Sequence, residues 1–133
     1  MKRRILIRIL LVVGIVVGSL IVIMVVFVVS KLEADLKGLD NLEFEQLNLS
    51  TLKDGIYEGS FEAGIVNASV RVEVSGHEVR SVEIVKHNHG RGKAAESITN
   101  SVVEKQSVQI DVVSGATYSS KVILKAIENA INR

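Results

Sequence analysis

The chain has no cysteine. Disulfide staples, thiol nucleophiles, iron–sulfur clusters and thiolate zinc sites are therefore excluded, and any redox role needs a borrowed cofactor. Charge is missing from one long stretch: Ile9 to Ser30 is 22 residues of Ile, Leu, Val, Gly, Met, Phe and Ser. No acidic residue precedes that stretch, although Lys2, Arg3, Arg4 and Arg8 do. Aromatic residues interleaved with basic ones, a footprint of nucleic-acid binding, do not occur. Ser, His and Asp are all present, but no Gly-x-Ser-x-Gly elbow arranges them for hydrolysis. Paired carboxylates with a readable cleft are lacking too, so catalysis by the chain's own side chains is not expected.

What is present begins with the apolar run. As a helix rising about 1.5 Å per residue it spans a hydrocarbon core of roughly 30 Å. It exceeds the roughly 7–15 apolar residues of a cleaved signal, and its exit, "VVSKLEADLK", offers no small-x-small cleavage site. An uncleaved single-pass anchor over residues 1–30 is expected. The basic flank keeps the N-terminus in the cytoplasm and sends the remainder across the membrane. Sixteen basic residues less those four leave twelve against fifteen acidic ones. A mildly acidic, exported domain follows, with the membrane as partner and no nucleic acid.

Residues 31–53 are leucine-punctuated and acid-rich and read as a juxtamembrane linker. Leu32, Leu36 and Leu39 fit two helical turns before Gly38 and Asn41 break the pattern. From residue 54 to 133 the pattern is that of a small domain. Tyr57, Gly59 and Phe61 alternate on one face. Ala68, Val70, Val72 and Val74 alternate inward in the next run, and Gly76 sits in a tight turn before Val82 and Ile84. A helix is expected through Ala94, Ala95, Ile98 and Val102, and a strand through Val108, Ile110 and Val112. A last amphipathic helix carries Val122, Ile123, Ala126, Ile127, Ala130 and Ile131. The fold class is α+β: a transmembrane helix, then a largely antiparallel sheet with two helices.

Two stretches could carry chemistry. "HNHGRGK" contributes His87, His89, Arg91 and Lys93, a polar loop able to neighbour an anionic cofactor. With His77 these histidines complete the chain's imidazoles, but the sequence fixes no carboxylate beside them and no metal site is expected. "DVVSGATYSS", Asp111 to Ser120, interrupts a valine-rich run just before the last helix. One reading is a turn at Gly115 with Thr117, Ser119 or Ser120 capping the helix through its hydroxyl, and Asp111 bonding the turn backbone. On that reading the chain is a membrane-anchored, non-redox binding or assembly module. The other reading takes the free N–H groups and positive dipole end of the helix as a phosphate site, with small residues leaving the Thr117 hydroxyl approachable.

Asp111, Ser114, Gly115, Ala116 and Thr117 resemble the Asp-x-x-Ser/Thr-Gly-Ala-Thr/Ser flavinylation motif of the FMN-binding domain family. That family includes the flavin-carrying subunits of sodium-pumping NADH:quinone oxidoreductase and of ferredoxin-oxidising relatives. The meander "DGIYEGSFEAGIVNASVRVEVSGHEVRSVEIVKH" and the final helix are similar to the family's as well. The resemblance implies FMN joined through a phosphoester to Thr117 by a dedicated flavin transferase. Asp111, Ser114, Gly115, Ala116, Tyr118 and Ser119 would surround the attachment, with His87, His89, Arg91 and Lys93 near the flavin. It further implies an extracytoplasmic electron carrier rather than a substrate-specific enzyme, meeting quinone-linked or other redox proteins.

Overall fold

The computed structural model describes residues 2–90 and 92–132, and the chain divides into two compact units, Met1–Ala34 and Asp35–Arg133. The first unit is helical. Helix α1 runs Lys2–Asp40; within it Arg3–Lys31 is 29 residues long, and its uncharged part, residues 9–30, is apolar on every side and exposed. Such a helix is long and apolar enough, by length and composition, to cross a membrane. The side chains of Leu32 and Leu36, placed on a helical stripe by their spacing, lie outside the described residues.

The second unit is a three-stranded antiparallel sheet in sequence order, β1 (Gly55–Ala63), β2 (Val66–Ser75) and β3 (Glu78–Asn88). Helix α3 (Thr117–Ile131) lies across β1 and β2, and α2 (Ile98–Lys105) lies against β3. Alternation in β2 puts Ala68, Val70, Val72 and Val74 on the helix side, all essentially inaccessible to solvent. Val122, Ile123, Ala126, Ile127, Ala130 and Ile131 of α3 meet that face and are equally buried. Each large aliphatic side chain so removed from water contributes about 1.5–3 kcal/mol. The close approach of the layers needs a missing side chain at Gly59. A Cβ there would collide with Ala126 O, Ala130 N and Ala130 Cβ, so β1 lies directly against the backbone of α3.

Both hairpins turn as their glycines allow. Ser75 pairs with Glu78 across two residues, Gly76 and His77, that share φ 61°. Two successive positive φ values are the type I′ arrangement that suits the twist of the flanking strands. The turn is held from outside by Asp54, whose carboxylate accepts from Gly76 N–H and Ser75 Oγ, both at 2.8 Å. Those two bonds, the one from Gly76 first, hold the Asp54 carboxyl below its ordinary pKa.

Strand β3 is irregular in a way that strict alternation does not foresee. Ser69 pairs with Lys86 and Val70 with Ile84, leaving Val85 as an extra residue; a second shift leaves out Arg80. A bulge reverses which parity faces inward. Val82 and Ile84 point to the core as expected, but so do Val79 before the first bulge and His87 after the second, opposite Val74 and Ala68.

Three expectations need correction. No strand forms at 107–113. Val108 is buried and Ile110 and Val113 pack on the core, but the backbone there bonds to side chains instead of to a neighbouring strand: Gln109 N–H to Ser107 Oγ and Val113 N–H to Ser120 Oγ. Ala94 is exposed, because Gly92–Ser97 is a 3₁₀ turn that shifts the phase before α2 begins. Finally, much of the expected spacer is packed. Glu45 N–H donates to Glu128 and Asn48 N–H to Asn132, while Asn132, Lys125 and Lys121 donate to the carbonyls of Gln46, Glu43 and Leu39. Leu39 and Leu47 are buried beneath this strap. Lys121, Lys125, Glu128 and Asn132 recur at helical spacing, so α3 has a second interior face of polar side chains that serve as backbone partners.

Candidate functional site

The stretch Asp111–Ser120 folds as a tight turn running into α3. Ala116 N–H donates to Val113 O at 3.0 Å across Ser114 and Gly115, and Gly115 takes φ 78°. A type II turn demands that left-handed value at its third position, which is why glycine stands there. Ser120 closes the turn from within the helix. Buried, it accepts Val113 N–H at 3.0 Å and donates to Ala116 O at 2.9 Å.

The expected hydroxyl cap does not form. Ala116, not a hydroxyl residue, holds the N-cap position, and no side chain caps α3. Ser120 is spent on the turn and Ser119 is buried. Thr117, the first helical residue, is exposed, and Asp111 is exposed as well instead of closing the turn backbone. The first intrahelical bond is Ser120 N–H to Ala116 O, so the N–H groups of Thr117, Tyr118 and Ser119 precede it and have no helical acceptor. No acidic residue lies in the first turn. The positive end of the dipole is thus unopposed, beside a free hydroxyl and the exposed ring of Tyr118. These residues fit a phosphate-bearing group without need of a basic clamp.

The histidine loop is the neighbour of this helix end. Gly92 rests so closely on Ser119 that a Cβ at Gly92 would overlap the Ser119 side chain, and it would lie 3.5 Å from His89 Cβ. Because of the bulge at Val85, His87 turns inward; its side chain is 1% exposed and its Nδ1 lies 3.2 Å from Glu96 Oε1. His89, two residues on, places its ring centroid 4.8 Å from that of His87. Lys93 is exposed, and Arg91 lies outside the described residues. His77 is not part of the group: it sits at the far end of β3, roughly 30 Å away along the strand, bonded to Leu49 O.

The structure therefore brings the motif and the histidine loop together, gives Ser120 a part other than the cap expected of it, and adds two residues that sequence patterns did not single out, Gly92 and Glu96. Ser120 supports the turn, Gly92 permits the contact, and Glu96 pairs with His87. The one available signal was a carboxylate following His-x-His, but its nine-residue separation matches no regular spacing.

Residues 63–132, more than half the chain, match the family model described as FMN-binding domain. An uncharacterized protein of Treponema pallidum (strain Nichols) is 33% identical over 85 residues, covering 62% of this chain. The match spans 24% of that protein, so the chain corresponds to about a quarter of its relative's length.

Proposed function

Because the chain belongs to the FMN-binding domain family, we propose that it holds FMN covalently, through a phosphoester to Thr117, and serves as an extracytoplasmic electron carrier tethered by α1. The observation that carries this reading is the Thr117 hydroxyl, exposed at the open end of α3 and not needed as a cap. FMN supplies one- and two-electron chemistry, and a link through its phosphate leaves the flavin ring intact. The protein's own part is to hold and to present. The N–H groups of Thr117, Tyr118 and Ser119 receive the phosphate oxygens, and Gly115 and Ala116 leave the approach to the hydroxyl clear. Asp111 and Ser114, both exposed, lie on the side open to a flavin transferase. Among the described residues no side chain hydrogen-bonds the Thr117 hydroxyl to activate it, which favours an external enzyme as the source of the new bond.

The loop from His87 to Lys93 borders the same helix end and is the nearest protein surface for the flavin. Electron donor and acceptor are quinone-linked or other redox proteins meeting the domain at the membrane surface. A covalent tether suits that location, since a dissociated cofactor would be lost to the exterior.

Intact mass tests the attachment. The full chain, produced in an exporting host with a flavin transferase, should gain one FMN less one water. Thr117→Ala should gain nothing and Thr117→Ser should retain the modification. An unmodified wild-type chain beside an active transferase overturns the covalent reading. Location is tested separately: a Ser60→Cys variant, unique in a chain without cysteine, should react with a membrane-impermeant maleimide on intact cells.

A further inference from the structure

We propose that His87, His89 and Glu96 form a binding site for one divalent transition-metal ion of the zinc class. The reading is independent of flavin. One donor atom from each residue lies within 4.8 Å of the other two, and His87 Nδ1 and Glu96 Oε1 are already 3.2 Å apart. Tetrahedral zinc, about 2.0–2.1 Å from its ligands, separates neighbouring donors by about 3.3 Å, so the pair is at coordination spacing. Closing the group takes a movement of roughly 1.5 Å at most. His89 is free to make it, because the ring bond found there is a local one to Gly90 O.

Three observations favour an ion over an ordinary surface cluster. The β-bulge at Val85 turns His87 inward, to the side where Glu96 meets it; bulges recur where a side chain must be re-aimed. The His87 side chain is only 1% exposed, so an ion on its Nδ1 would be shielded from bulk water on that side. The donor set of two imidazoles and one carboxylate suits zinc, cobalt or nickel and not magnesium or calcium, which prefer oxygen alone. Three protein donors leave a fourth position for water or an incoming ligand.

The test uses the full, tag-free chain in detergent micelles. Titration with Zn²⁺ against a chromophoric indicator should give one ion per chain, with Co²⁺ producing the visible absorption of a tetrahedral site. His89→Ala and Glu96→Gln, at partly exposed positions, should each weaken Zn²⁺ at least tenfold while the circular dichroism of the domain is kept. A hundredfold excess of Mg²⁺ should not compete. His77→Ala, at the other end of β3, and Thr117→Ala, which cannot carry FMN, should bind Zn²⁺ as the wild type does. Equal affinity of His89→Ala and wild type, or the absence of stoichiometric binding, overturns the proposal.

Discussion

The two ends of α3 are built on opposite principles. Toward its C-terminus the helix is locked: Gly59 admits β1 to its backbone, and Glu128 and Asn132 bind the strap at Glu45 and Asn48. Toward its N-terminus it is left open, with an uncapped first turn and an exposed hydroxyl at Thr117. A helix end without a side-chain cap forgoes about 1 kcal/mol. The difference teaches that the small domain buries its central helix along most of its length and leaves only the first two residues, Thr117 and Tyr118, exposed.

The sharpest way to break this contrast is Gly59→Ala. The added methyl meets backbone atoms of Ala126 and Ala130, which cannot rotate aside as a flexible side chain could. A loss of about 3 kcal/mol is expected, lowering Tm by roughly 10–20 °C for a domain of this size. Thermal unfolding of the full chain followed by circular dichroism measures it, and an unchanged Tm would show that the layers are not in such close contact.

Next in size is Glu128→Ala. The carboxylate is buried, accepts Glu45 N–H at 3.1 Å and pairs with Lys125 at 2.6 Å. Its removal leaves a donor unpaired and should cost about 2 kcal/mol. Hydrogen exchange gives the more specific reading: amides of 43–48 should lose protection while those near Thr117 do not change. Uniform loss along the chain would mean that the strap does not open by itself.

The same contrast explains which parts were legible in the sequence. Ala68 to Val74 and Val122 to Ile131 could be read because period 2 and period 3.6 are local properties of a half-buried strand and an amphipathic helix. The strap could not, since the atoms that hold residues 43–48 are side chains of Gln109, α3 and its C-cap Asn132, 65 or more positions away. Val108, Ile110 and Val112 looked like a strand because alternation records burial but not the presence of a partner edge. The inward turn of His87 depends on a bulge at Val85, which pairing with β2 sets and residue type does not announce. In the candidate site, the motif from Asp111 to Thr117 was legible as a contiguous string, whereas Glu96 joins the histidines only through the fold.

Ser120→Ala is a smaller perturbation and marks where the locked half ends. It deletes the acceptor of Val113 N–H and should cost about 1 kcal/mol, loosening the turn around Gly115. Flavinylation of this variant should slow without being abolished, read as the initial rate of mass gain. A rate equal to wild type would show that the transferase does not need the turn preformed.

Acid separates the regions as well. The Asp54 carboxyl has its folded pKa lowered by the bonds from Gly76 and Ser75. Its contribution is therefore fully present above the unfolded value of about 3.9 and is lost as pH falls through the lower folded value. The Tm difference between wild type and Asp54→Ala should be constant from pH 7 to 5 and shrink below about pH 4. A difference that persists to pH 2 would mean that the charge on Asp54 does not matter.

The smallest expected effect on stability is the most telling for function. Thr117→Ala removes an exposed hydroxyl that caps nothing, and alanine is a better helix former than threonine. Tm should stay within about 3 °C of wild type, or rise slightly, in the unmodified protein. The same variant should lose all covalent FMN. A hydroxyl whose loss leaves the fold intact but abolishes the modification is one retained for chemistry. If Thr117→Ala instead lowers Tm as much as Ser120→Ala does, the hydroxyl supports the turn, and the open end of α3 is part of the scaffold after all.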